Sequence, residues 1–348
     1  MKKSIAALVV ALSVMASMLA GCSQRDELYE SQIYVFGTLA DVSVWGVKEE
    51  KARAAVNAIA ADFQREHHEW HAWEPGPLVD INKAIAAGKP VQVPASILPL
   101  ITRSREISDL SEGLFNPSIG RLLNLWGFQS SERPNGPPPS RAAVAKLVDA
   151  HPSMDDLTLK GDMLYSSNPA VQLDFGGIAK GYAVDLALQH LRQLGVNNAI
   201  VNAGGGLGVI GRHGDRPWRV GIRHPQGKGI LASLDVNDGE SVHTSGNYER
   251  FREYEGVHYA HILDPRTGWP VDSITSCTVI SKDGTLADAA ATALVIAGVK
   301  DWHRLAKKMG IKYVMLVDEA GTVYMNPAMA ARVKFTSEKP PIEISAPL

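Results

Sequence analysis

Leu173-Asp174-Phe175-Gly176-Gly177-Ile178-Ala179-Lys180-Gly181-Tyr182-Ala183-Val184-Asp185 changes its periodicity half-way along. Val171 and Leu173 alternate with polar neighbours and stop at Asp174, the pattern of a strand end. Val184, Leu188, Leu191 and Leu194 then recur at helical spacing until Gly195 supplies a stop. Glycines between a strand and a helix let the backbone approach a ligand closely. The free N–H groups of the helix start favour an anion such as a diphosphate, and Lys180 adds a mobile positive charge there.

The surrounding chain bounds what this turn can serve. At 348 residues there is room for one large α/β domain or two ordinary ones. A charged fraction of 21% beside 45% hydrophobic residues is that of a globular protein, and a net charge of −2 offers no basic field for nucleic acid. Residues 1–21 read as a processing signal, with Lys2 and Lys3 ahead of an apolar run that ends in Leu19-Ala20-Gly21-Cys22. This resembles a bacterial lipobox, which implies acylation of Cys22, a tether over 22–31 and a lipoprotein facing the periplasm. The absence of Asp after Cys22 leans towards the outer membrane without deciding between the two. Cys277 is the one other cysteine, so the mature chain forms no internal disulfide.

In chain order, Ile33–Val47 alternates as one or two strands around Gly37, and a helix follows from about Glu49 to His67. His67-His68-Glu69-Trp70-His71-Ala72-Trp73 matches no standard zinc spacing, and its tryptophans read as a packed loop. Pro94–Leu110 is helical, and Gly113-Leu114-Phe115-Asn116-Pro117-Ser118-Ile119-Gly120 is a second glycine-bounded turn. Residues 131–140, with three consecutive prolines, form a stiff loop and a possible lobe break. Strands are expected at Ala199–Asn202, Trp218–Arg223, Ile230–Val236, Ser241–Thr244, Tyr259–Leu263 and Cys277–Ser281. Helices over Thr285–Ala297 and Asp301–Met309, a hairpin over Lys312–Met325 and a partly ordered tail over 336–348 complete the reading, with the folded domain spanning 32–335.

Two constellations carry chemistry. Asp288 and Thr292, four apart, share one helical face, and a carboxylate with a hydroxyl suits a hard cation such as Mg²⁺; a helix-start Asp and a back-bonded Thr give the same spacing. Ser245-Gly246-Asn247-Tyr248-Glu249-Arg250 precedes His261-Ile262-Leu263-Asp264-Pro265-Arg266-Thr267-Gly268, where His261 sits at a strand end before a turn. It suits proton transfer or anchoring, or simply a half-buried structural role.

Together the four segments Gly113–Gly120, Asp174–Gly181, Ser245–Arg250 with His261–Gly268, and Asp288–Thr292 are similar in order and spacing to the ApbE family, over roughly residues 31–330. These are FAD:protein FMN transferases, once labelled thiamine-biosynthesis lipoproteins. The resemblance implies an α+β, T-fold-like architecture with an FAD cleft between two α/β parts. It places Phe36, Trp73, Leu114, Phe115, Asn116, Asp174, Lys180, Ser245, Asn247 and Ile262 at the flavin nucleotide. It gives Mg²⁺ to Asp288, Thr292, Ala291 and the Gly177 carbonyl, and transfer to His261 with Asp288.

The implied reaction is attack of a threonine hydroxyl on the FMN-side phosphorus of FAD with departure of AMP. Asp288 and His261 both stand as candidate bases. Implied acceptors are exported subunits of sodium-pumping NADH:quinone reductases and related electron-transport complexes. A Mg²⁺-dependent FAD pyrophosphatase and a non-catalytic flavin-binding lipoprotein are the competing readings. Three residues depart from the family pattern: Gly206 stands where Asp or Asn is common, Asn116 where Asp is, and Trp73 where Tyr is.

Overall fold

Period-two patterning becomes a sheet whose strands follow one another in space as they do along the chain. The computed structural model describes residues 28–336 and 339–348. The leader, Cys22 and residues up to 27 lie outside them. Nine strands make the principal sheet: β1 (Leu28–Val35), β2 (Thr38–Trp45), β3 (Ala199–Ala203), β4 (Gly206–Ile210), β5 (Ser241–Gly246), β6 (Ile274–Ser281), β7 (Tyr313–Asp318), β8 (Val323–Met325) and β9 (Ile342–Ile344). Neighbours are antiparallel except β8 and β9, which are parallel. Two expectations change here. Residues 28–31 belong to β1 rather than to a tether, and the C-terminal tail contributes the edge strand β9.

The helices are α1 (Glu49–Trp70), α2 (Pro77–Ala86), α3 (Leu98–Leu110), α4 (Gly120–Leu125), α5 (Arg141–Val148), α6 (Ala179–Gln193), α7 (Gly284–Lys308) and α8 (Pro327–Ala330). α1 runs through Trp70, so most of the histidine-rich stretch is helical and not loop. α7 is broken at Gly298 (φ 68°), where the sequence separates two helices. The proline-rich loop joins α4 to α5, whose Leu122 and Val144 share one apolar cluster around Trp126.

Both faces of the sheet are covered, which explains the unbroken apolar run of β7. Val314 and Leu316 enter the core beneath the helices, while Met315 and Val317 enter a second core. A three-stranded sheet of Trp218–Arg223, Ile230–Val236 and Lys334–Phe335 supplies that second layer.

The organising stretch enters differently from its sequence reading. Val171–Leu173 is extended but makes only an isolated bridge, Gln172 with Ile119. Asn82 of α2 takes the place of a partner strand: its Oδ1 accepts the Leu173 N–H at 2.7 Å and its Nδ2 donates to the Leu173 carbonyl at 2.9 Å. α6 then starts at Ala179, with Val184, Leu188 and Leu191 in the core and Leu194 left at the surface.

Candidate functional site

The floor of the site is where β5 and the first turns of α7 run side by side. Two residues of strand advance about 6.8 Å and four residues of helix about 6.0 Å, so the two periods nearly match. Ser241 lies against Gly284, His243 faces Asp288 and Ser245 faces Thr292, forming three successive rungs. The last is a hydrogen bond between Ser245 Oγ and Thr292 Oγ1 at 3.0 Å.

α6 meets this floor end-on. Asp288 Oδ2 accepts the Gly181 N–H at 2.9 Å, so the α7 carboxylate caps the start of α6. In return, Asp185 of α6 accepts the N–H groups of Gly284 (3.1 Å) and Thr285 (2.8 Å) and the Thr285 hydroxyl (2.8 Å) at the start of α7. The crossing is close enough to demand glycine. A Cβ on Gly181 would lie 2.4 Å from the Gly284 carbonyl oxygen, and one on Gly284 2.5 Å from Asp185 Oδ1.

Desolvation pushes the Asp288 carboxyl up. The nearby His243, Lys180 and Gly181 N–H outweigh it and hold Asp288 below the usual carboxylate range. Burial raises Asp185, against the Thr285 hydrogen bonds. Gly177 stands beside Thr292, whose Oγ1 would be 3.5 Å from a Cβ there. Asp288 and Thr292, with the Gly177 backbone beside Thr292, could offer oxygen donors only, the chemistry that suits Mg²⁺. Ala291, between them on α7, is buried and does not line the cleft, and being alanine it could offer only its backbone carbonyl.

Above the floor opens a cleft of about 1040 Å³. Phe36, Trp73, Leu114, Phe115, Asn116, Asp174, Gly177, Lys180, Ser245, His261, Ile262, Asp288 and Thr292 all line it, although they come from every part of the chain. Asn247 does not. The chain turns after Gly246, the Asn247 N–H donates to the Thr275 carbonyl, and its own carbonyl faces His258 Nε2 at 3.2 Å. Asp174 is fixed by the Gly176 N–H (2.9 Å) and Gln129 Nε2 (2.8 Å). Asn116 spends its amide on the Pro152 carbonyl and the Ser118 N–H, bracing its turn.

His261 is set by Arg250. The Arg250 carbonyl lies 3.0 Å from His261 Nδ1, and because a carbonyl only accepts, Nδ1 carries the proton and Nε2 keeps its lone pair. Desolvation lowers the imidazole to about 4, with that hydrogen bond opposing, so the ring is neutral at physiological pH.

The rim is aromatic. Phe36 (φ 53°) and Gly37 (φ 70°) form the β1–β2 turn, and the Phe36 ring stacks on Trp70 at 6.3 Å. Trp73 packs on His71 at 4.3 Å, with the Arg250 guanidinium 5.7 Å from its ring centre. Sequence reading missed Arg223 as a cleft residue and His243 beneath the floor, and it gave Tyr248, Glu249 and Arg250 no role beyond membership of their segment. Arg223 comes from the second sheet, so no local pattern betrays it. One ligand atom each from His67, His71 and Glu74 also falls within 4.8 Å at the mouth, an arrangement that linear spacing hid. His71 Nδ1, however, already accepts the Glu74 N–H at 3.0 Å, which leaves its proton on Nε2.

The ApbE family model matches residues 36–315. An FAD:protein FMN transferase of Rhodobacter capsulatus is 45% identical over 301 residues, covering 86% of this chain; this chain spans only 57% of that relative's length. One from Klebsiella pneumoniae is 30% identical over 81% of this chain and 82% of its own. The crystal structure of the ApbE protein of Thermotoga maritima superposes with a TM-score of 0.78 at 32% identity, over 85% of this chain and 96% of that one.

Proposed function

This chain belongs to the ApbE family, and we propose that it transfers FMN from FAD to a threonine hydroxyl of an acceptor protein, with release of AMP. The observation that supports this reading most is the meeting, in one cleft, of the Asp288–Thr292 oxygen donors, Lys180 at a helix start and a neutral His261. Bound Mg²⁺ would neutralise diphosphate charge and ease departure of AMP.

The chain's own groups do the rest. Lys180 and the start of α6 attract the diphosphate, and Trp73 with Phe36 offers apolar faces to the flavin. The acceptor hydroxyl oxygen forms a bond to the FMN-side phosphorus, the phosphorus–oxygen bond to AMP breaks, and the hydroxyl proton passes to His261 Nε2 or to Asp288. Exported threonine-bearing subunits of sodium-pumping NADH:quinone reductases or related redox complexes are the proposed acceptors. Acylation at Cys22 is the proposed anchor to a periplasm-facing membrane surface.

The test is the intact mass of an acceptor domain incubated with the protein, FAD and Mg²⁺, with and without EDTA. A gain of one FMN-phosphoryl unit with AMP release, abolished by EDTA, is expected. FMN and AMP beside unmodified acceptor would replace the transferase reading with a pyrophosphatase one. Unchanged FAD retained on the protein would replace it with flavin carriage.

A further inference from the structure

His243 is unlike the other polar groups of the floor. It is fully buried, and neither ring nitrogen has a hydrogen-bond partner among the described residues. Burying a polar side chain without a partner costs stability, so its presence here calls for an explanation. Its Nδ1 lies 3.6 Å from Asp288 Oδ1, while Asp288 Oδ2 is held on the other side by the Gly181 N–H. The carboxylate thus has a backbone donor on one oxygen and an imidazole beside the other, within ion-pair reach though not hydrogen-bonded.

The space for that imidazole is made by Gly206. The β4–β5 register pairs His243 with Gly206, so both residues direct their substituents to the same face. A Cβ on Gly206 would come within 2.4 Å of His243 Nδ1 and 2.6 Å of Cε1. Gly206 is not required by its φ, since the positive angles of this hairpin fall on Gly204 and Gly205. Steric room for the ring is what a glycine supplies at this position.

We propose that His243 is the positioning residue that orients the Asp288 carboxylate towards the cation subsite, with Gly206 as the notch that admits its ring. The proposal rests on the reading of Asp288 as a cation ligand. His243 does not line the cleft, and it acts on the cation subsite through Asp288. Groups that orient a metal ligand typically change cation affinity by about 10- to 100-fold when removed.

The experiment measures Mg²⁺ binding to the purified full-length chain by titration calorimetry, with FAD binding measured separately in EDTA. His243→Ala should weaken Mg²⁺ by about tenfold or more and leave FAD affinity in EDTA unchanged. His243→Asn, whose amide reaches the position of Nδ1, should restore most of the cation affinity. Gly206→Ala, which pushes on the ring, should also weaken Mg²⁺, and adding Gly206→Ala to His243→Ala should cost nothing further.

Unaltered Mg²⁺ affinity in His243→Ala, with affinity lost in Asp288→Asn, would overturn the positioning role and leave the cation site standing. Unaltered affinity in Asp288→Asn would overturn the cation site itself. Should His243→Ala fail to fold, failure of His243→Asn to bind Mg²⁺ like the parent chain would count against the proposal equally.

Discussion

The floor of the cleft and its rim are built on opposite principles. The floor is made of buried polar groups at fixed distances, drawn from α6, α7 and β5, with a carboxylate at each helix start supplied by the other helix. The rim is made of half-exposed aromatic rings and one guanidinium, held by turns and loops. A floor of this kind fixes a reacting centre to within fractions of an ångström, whereas a rim of stacked rings supplies affinity and tolerates adjustment. Mutations in the floor should therefore change rate or fold, according to which polar group is lost, and mutations in the rim should change binding alone.

The sharpest break should come from Asp288→Asn, which keeps an oxygen for the Gly181 N–H while removing the charge. Turnover should fall by about a thousandfold, the several kcal/mol that a lost cation represents, with the melting temperature little changed. A variant with near-parent turnover would remove Asp288 from the chemistry.

His261→Ala comes next, with transfer slowed about a hundredfold and FAD affinity nearly unchanged. Equal losses in both would make His261 an anchor. Because the folded imidazole sits near 4 and the unfolded one near 6.5, the unfolded chain binds the extra proton first. Stability should therefore fall as pH drops from about 6.5 through 4, and His261→Ala should flatten that fall in pH-dependent thermal melts.

Asp185→Ala strips three donors at the start of α7 and should cost about 2–3 kcal/mol in denaturant unfolding, with activity at low temperature largely retained. On the rim, Trp73→Ala should raise the Kd for FAD by about tenfold with kcat preserved; a collapse of kcat instead would merge rim and floor. The smallest effect on turnover lies under the rim, in Glu66 of α1, whose buried carboxyl is pushed up to about 8 by desolvation and the neighbouring Asp62. As pH rises from about 4.5 to 8 the unfolded chain gives up a proton that the folded chain retains, so stability declines. Glu66→Gln should therefore stabilise the chain far more at pH 8 than at pH 5, read as a shift in Tm.

How far these regions are legible in the sequence follows from the range of the forces that form them. α6 is readable because Val184, Leu188 and Leu191 write its buried face locally. The β1–β2 turn is readable because alternation breaks around Gly37. Asp288 and Thr292 share a helical face by spacing alone, and the family resemblance supplies their role. The strand expected at Val171–Leu173 has no full partner strand: its backbone pairs with the side chain of Asn82, 91 residues away, and with the Pro117–Gly120 turn, which no local period encodes. His243 stayed hidden for a similar reason: its meaning depends on the β4–β5 register and on a glycine across the ladder. Even the glycine-rich Gly204-Gly205 proves to be a two-residue hairpin turn, with φ of 58° and 91°.

The exchange of carboxylates between α6 and α7 has a kinetic corollary. Neither helix can fray at its start without stripping the partner of a capping group, so the two ends should open as one cooperative unit. The amide protons of Gly181, Gly284 and Thr285 should therefore exchange with deuterated solvent at matching opening free energies, despite lying about a hundred residues apart in the chain. A cation that occupies the floor would slow all three in step.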